Sequence, residues 1–175
     1  MRRAALAAAA LALTAGACAP AAAPPRGDRR QTIEGLTMSQ SDHGRPAWTL
    51  RSRLAVLREE ENAATLQAPT MDFYRDGKVT SRVTSLVGEI ATDTHDVHLS
   101  SSVVLDSYDD HSVLTTDALV YSSTARLFRT DRDVVVHRPQ GVVYGRGMEA
   151  TPDLSEIRIF HQHSVLDSKA KGPPQ

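Results

Sequence analysis

Seven histidines and a single cysteine are the obvious reactive side chains of this 175-residue chain. His161 and His163, in "FHQHS", stand two apart. On a strand that spacing puts both imidazoles on one face, as a pair of metal ligands requires. A complete ligand set needs three or four convergent groups, and no carboxylate follows before Asp167. The pair reads better as a polar face near the end of the fold. His95 and His98, in "HDVH", point to opposite sides of a strand or sit in a turn. No serine lies in a Gly-x-Ser-x-Gly elbow. "GRG" at 145–147 precedes more strand pattern. A phosphate loop needs a helix behind it, so these glycines mark a bulge or a close backbone approach.

Cys18 has a different chemistry. It ends the leader "MRRAALAAAALALTAGAC", a basic start followed by a short apolar run. The run is too short for a comfortable membrane span, which takes about 20 apolar residues. It reads as an export signal over 1–17. "LTAGAC" resembles a lipobox, where a bacterial lipoprotein is cleaved and its cysteine acylated. Two other outcomes remain open. Cleavage at an A-x-A site leaves a soluble periplasmic protein, and retention of the leader leaves a weak membrane anchor. With one cysteine there is no intrachain disulfide.

Twenty basic residues face 21 acidic ones, and aromatics make up 5%. Neither the basic face nor the stacking platforms of a nucleic-acid binder follow from that. Residues 18–46 are rich in Pro, Ala and Gly and lack an apolar period, which predicts a flexible tether. Residues 169–175 predict a disordered tail. Between them no helical period appears. Short runs of alternating β-branched residues alternate with turn signals, and "RDGK" at 75–78 is an Asp-Gly hairpin. The prediction for 47–168 is an all-β domain: an elongated antiparallel β-jelly-roll of stacked hairpins in two facing sheets. A repeat of about 30 residues supports the stacking. It aligns Val97 with Leu127 and Ile157, and Val104 with Val135 and Val165.

Small aliphatics dominate these runs. Val79, Val83, Val87, Val103, Leu105, Leu119, Val134, Val136 and Val142, with Tyr121 and Tyr144, face either a dry core or an apolar groove. Alternation puts Val79, Val83 and Val87 on one face and Leu86 and Ile90 on the other. A stack of hairpins also ends in open strand edges, which are templates for pairing with another chain.

The order and spacing of several markers resemble the LptC family, the periplasmic component of the lipopolysaccharide export ABC transporter. They are Trp48-x-Leu50, Phe73-Tyr74 before Gly77, Thr80-Ser81, Gly88, Leu114-x-Thr116, Leu119-x-Tyr121, Gly141 and Gly145-x-Gly147-Met148-Glu149. The resemblance covers about 46–160. It implies a jelly-roll that is V-shaped in section, with no enzymatic activity and no cofactor or metal. It implies a periplasmic protein held at the inner membrane. Such a protein takes lipopolysaccharide from the transporter subunits and shields its acyl chains in the groove. It then passes the lipid to a homologous bridge protein joined edge to edge. Two departures stand out. Relatives commonly carry an N-terminal transmembrane helix, where this chain has a short leader and Cys18. Relatives often have Gly-Asn before the V-x-V run, where this chain has Ser101-Ser102. The competing expectations are a bridging β-lipoprotein that pairs by its edges without carrying lipid, and a metal-dependent jelly-roll enzyme.

Overall fold

The computed structural model describes residues 30–166. The strands are β1 (Arg30–Asp42), β2 (Arg45–Arg58), β3 (Ala63–Gln67), β4 (Thr70–Arg75), β5 (Lys78–Thr84), β6 (Val87–Ala91), β7 (Val97–Ser107), β8 (Ser112–Ser122), β9 (Leu127–Arg138), β10 (Gly141–Ala150), β11 (Ile157–Ile159) and β12 (His163–Leu166). The helix among them is one 3-10 turn at Glu59–Glu61, which ends at Asn62 with φ 49°. The acidic run Glu59–Glu61 after β2 is therefore a turn.

All twelve strands share antiparallel pairing. The ladders break at corresponding places. One half of β2 pairs β4 and the other half pairs β3. One half of β7 pairs β5 and the other pairs β6. β3 with β4, β5 with β6, and β11 with β12 thus act as single interrupted rungs. The chain is a meander of V-shaped rungs, each with two limbs and a corner. In the A limb are 36–42, 45–51, β4, β5, 103–107, 112–116, 134–138, 141–146 and β12. In the B limb are 30–34, 54–58, β3, β6, 97–100, 118–122, 127–130, 148–150 and β11.

The corners have a common chemistry. Bending a ladder frees backbone N–H and C=O groups, which must find partners if buried. Ser52 Oγ lies 2.7 Å from the Leu54 carbonyl oxygen and accepts from Gln67 N. Ser85 Oγ donates to Val87 O at 2.8 Å. Thr116 Oγ1 donates to Asp133 O at 2.8 Å. All three hydroxyl residues are buried. Pro69 brings no N–H, which suits a corner. Left-handed backbone turns the chain at Gly35, Ala68, Ser101, Ser102, Gly147 and His161.

Two apolar rows cross the stack, one per limb. Residues directly opposite in an antiparallel ladder share a face. In the A limb the row runs Met38, Leu50, Met71, Val83, Leu105, Leu114, Val136 and Val143. In the B limb it runs Leu57, Ala64, Ile90, Val97, Tyr121, Phe128, Ala150 and Ile157. Each row belongs to one hydrophobic cluster, so the inner faces of the limbs meet. The aligned repeat holds for the elements and not for the faces: Val97, Leu127 and Ile157 each open a B-limb strand, but Val97 and Ile157 stand in the inner row while Leu127 is one position off it, beside Phe128.

The expected tether over 18–46 gives way to β1, paired with β2 along its whole length. An edge rung needs little apolar surface, because its neighbour supplies the ladder. Its signal is only Leu36-x-Met38, both half-buried against the core. The fold therefore starts well before residue 47. The signal segment, Cys18 and the tail 169–175 lie outside the described residues.

On the outer face of the A limb, Asp72 is buried between two arginines. Arg51 Nη1 reaches it at 2.6 Å and Arg82 Nε at 2.6 Å. Burial alone would raise this carboxyl, but the hydrogen bonds from Arg82 and Arg51 outweigh it and hold it below the ordinary value of 3.8. A depressed carboxyl stabilises the fold above its unfolded-state value, and that stability is lost as pH falls through the folded one. The protein should therefore lose stability below about pH 4. Asp72→Asn should cost about 1–3 kcal/mol at pH 7 and flatten this acid limb. Urea unfolding of both proteins from pH 7 to 2 tests this, and parallel curves would refute it.

The corners yield a second expectation. Ser101 and Ser102 have φ of 66° and 57° and are exposed. A non-glycine residue there is strained, so Ser101→Gly should gain about 1 kcal/mol. Gly145 behaves oppositely, since a Cβ would sit 2.2 Å from Ile159 Cγ2. Gly145→Ala should cost about 1–3 kcal/mol. Thermal melts should move in opposite directions, and equal shifts would contradict the corner account.

Candidate functional site

Every rung ends in two tips, one on each limb. The A-limb tips carry the turns at 43–44, 76–77, 108–111 and 139–140, and the B-limb tips those at 59–62, 92–96, 123–126 and 151–156. Away from the corners these tips form a mouth between the limbs. A cleft of about 570 Å³ opens there. Its lining includes Trp48, Phe73 and Tyr121, with Arg45, Arg75, Arg126, Asp42, Asp76 and Asp153.

The aromatic part is a packed unit. Phe73 lies edge-on to Tyr121 at 4.9 Å between centroids and to Phe128 at 5.4 Å. Tyr121 and Phe128 are 5.3 Å apart. Such pairs add about 0.5–1.5 kcal/mol beyond their buried area. Burial pushes the Tyr121 phenol up to about 12, so it stays neutral at any physiological pH. Trp48 is 2% exposed and meets the His95 ring edge-on at 6.5 Å. Its Nε1 is buried without a hydrogen-bond partner among the described residues.

The charged part spans the mouth. Arg126 Nη2, on a B-limb turn, reaches Asp42 Oδ2 on the A limb at 2.8 Å. Ser123 Oγ donates to Gln40 Oε1 beside it. Arg75, at the end of β4, reaches Asp153 Oδ2 at 2.6 Å and also pairs with Asp109. Burial would raise the Asp153 carboxyl, but hydrogen bonds from Thr151 and Ser155 and the Arg75 charge hold it below its ordinary value. Arg45 pairs with Asp76 at 3.4 Å on the exposed rim. Exposed pairs of this kind contribute about 0–1 kcal/mol each, which suits contacts that must open.

The residues expected to line a groove divide. Val83, Val103, Leu105, Leu119, Tyr121, Val134 and Val136 point between the limbs and are at most 3% exposed. Val79 is half-buried beside a ladder irregularity at Phe73 and Tyr74. Val87 instead faces out and is 44% exposed. The corner at 85–86 inverts the alternation, so Val83 and Ile90 share the interior while Leu86 and Val87 do not. Val142 and Tyr144 also face out, opposite His137 and Val135. Their neighbours Val143 and Gly145 face in, opposite Val136 and Val134. "GRG" is the site of a register shift between Arg146 and Met148, not a phosphate loop.

His161 lies in the bend between β11 and β12 with φ 48°, so it and His163 do not share one strand. Among the described residues no group of three or more His, Cys, Asp or Glu is placed to hold a metal. No helix among them is long and apolar enough to cross a membrane. Sequence reasoning passed over Phe73, Phe128 and Leu154 as site residues. The repeat pointed to Leu127 where its neighbour Phe128 faces in, and Leu154, in a turn, had no period to mark it.

A family model described as "Lipopolysaccharide-assembly, LptC-related" matches residues 4–165. The chain belongs to this LptC family. No curated protein matches the chain. Membership implies a role in lipopolysaccharide transport, in a family that is periplasmic and inner-membrane associated. LptC is a transport component, not a known enzyme family.

The inverted alternation makes a direct test. Val87→Thr should leave stability within about 0.5 kcal/mol, as at other exposed sites. Val83→Thr places a hydroxyl in the apolar row and should cost about 1–3 kcal/mol. Equal losses in urea unfolding would mean that the two valines share a face after all.

Proposed function

We propose that this protein accepts lipopolysaccharide from the inner-membrane ABC transporter and holds its acyl chains between the A and B limbs. It then passes the lipid to a homologous periplasmic bridge protein. The observation that supports this most is the pair of apolar rows that cross the stack, Met38 to Val143 in the A limb and Leu57 to Ile157 in the B limb, aliphatic except for Tyr121 and Phe128 and the two methionines. A lipid sliding along such rows would meet methyl groups on most rungs and the Tyr121 and Phe128 rings on two of them. Each CH₂ shielded gains about 0.8 kcal/mol, and hardly any directional bond must break on release.

The terminal rungs suit transfer. β1 pairs only with β2, and β11 and β12 pair only with β10, so each end offers a strand edge among the described residues. Edge pairing with a second protein of the same architecture would continue the A-limb row beyond Met38 at the β1 edge and the B-limb row beyond Ile157 at the β11 edge. Acylation of Cys18 would hold the module at the inner membrane by lipid instead of a helix.

One observation favours a bridging protein that carries no lipid: the interior is packed, with Leu50, Leu105, Leu114 and Phe128 fully buried. Photo-crosslinking separates the two. Benzoylphenylalanine in place of Phe73 or Tyr121, which line the cleft, should capture lipopolysaccharide in cells. The same residue at Tyr108 or Tyr144 should capture little. Capture only from Tyr108 and Tyr144 would sink the groove reading. Capture of proteins alone would leave the bridging role.

A further inference from the structure

The turn at 151–156 is unlike the other B-limb turns. It places Leu154 in the hydrophobic core at 1% exposure, with φ 57°. A branched apolar residue with left-handed backbone is uncommon, and burial must hold it there. The turn is also braced from within. Thr151 Oγ1 donates to Asp153 Oδ1 at 2.7 Å, and Ser155 N and Oγ donate to the same oxygen. Thr151 N bonds Glu156 O, and Leu154 N bonds Thr151 O. Such a unit can move as one piece.

Its anchors are on the opposite limb. Ser107 Oγ donates to Asp153 O at 2.7 Å, and Arg75 pairs with the Asp153 carboxylate. The A-limb tip row explains the fit. It runs Trp48, Phe73, Ser81, Ser107 and Ser112. Two aromatics fill the mouth in the early rungs, and three serines leave it shallow further along. The turn crosses where the row is shallow. Ser81 Oγ, opposite Ser107, is fully buried with no hydrogen-bond partner among the described residues.

We propose that residues 151–156 form a displaceable plug, with Leu154 seated where a saturated acyl chain enters between the limbs. This rests on the lipid-carrying reading above. In the closed state the plug keeps the rows dry. An incoming chain takes the Leu154 seat, the Asp153 contacts to Arg75 and Ser107 part, and the turn swings out with its backbone strain relieved.

The test is amide hydrogen exchange on the full chain, with and without purified lipopolysaccharide, beside binding measurements on Leu154→Gly. That substitution removes both the plug and the strain. With lipid, exchange at 151–156 should rise while β7 and β8 stay protected. Leu154→Gly should bind about tenfold tighter, because the closed state no longer competes. If Leu154→Gly loses its cooperative melt, Ser107→Ala, which removes one anchor, should tighten binding in the same direction by a few fold. Binding only by the variants would also support the plug. Lipid bound with exchange at 151–156 unchanged or slowed, and variants no tighter, would overturn the plug and leave the groove standing. Binding by none of the proteins would overturn both.

Discussion

The fold depends on one constraint: every rung must bend at corresponding places. A flat meander of this length would expose one whole face of its sheet to water. Bending each rung folds the sheet onto itself and buries that face against its own other half. The cost is a line of broken ladders across the molecule. Ser52, Ser85 and Thr116 absorb that cost with hydroxyls that replace missing backbone partners. Gly147 and the Ser101-Ser102 pair absorb it with left-handed backbone. Polar residues buried at the corner thus allow an apolar interior elsewhere.

The mouth follows from the same bend. Limbs joined at the corner are free at their tips, and a right-handed twist carries the two halves of the sheet across one another. The contacts record that offset. The A-limb tips near β1 and β2 meet the B-limb turns at 92–96 and 123–126, and those of β4 and β7 meet 151–156. The outermost turns are joined by hydrogen bonds, ion pairs with an exposed arginine and one buried leucine, with the Trp48, Phe73 and Tyr121 rings packed just inside them. The limbs' inner faces are joined by fully buried aliphatics. Opening is therefore cheapest at the tips, where a lipid would have to enter.

Much of this was legible in the sequence, for physical reasons. Period-two alternation and the Asp76-Gly77 hairpin report strands directly. The 30-residue repeat reports a pair of rungs, because each V returns the chain to the same side. The inward-facing residues were legible only within a limb. Val83 and Val103 were readable, whereas Val87, Val142 and Tyr144 were not. A corner inserts an offset that alternation cannot count, and a serine there looks like any serine in a strand. β1 was missed because an edge strand draws its stability from its neighbour. Leu154 was missed because a single buried residue in a polar turn has no period.

The balance of forces also bears on how firmly a lipid chain would be held. A transporter component must not hold its cargo too firmly, or release would limit flux. Apolar rows of this kind would bind an acyl chain mainly by area, so affinity would grow with the length of chain shielded and fall as it leaves. Along the A-limb tips the lining changes from Trp48 and Phe73 to Ser81, Ser107 and Ser112, in the order of the chain. An acyl chain lying across β2 and β4 would face an aromatic wall, and one across β5 to β8 a smaller, more polar one. The last B-limb turn packs at that more polar end. A chain held against Trp48 and Phe73 would thus be bound more firmly than one beside Ser81, Ser107 and Ser112, so the place where the 151–156 turn packs is where side-chain contact with a lipid would be weakest and exchange easiest.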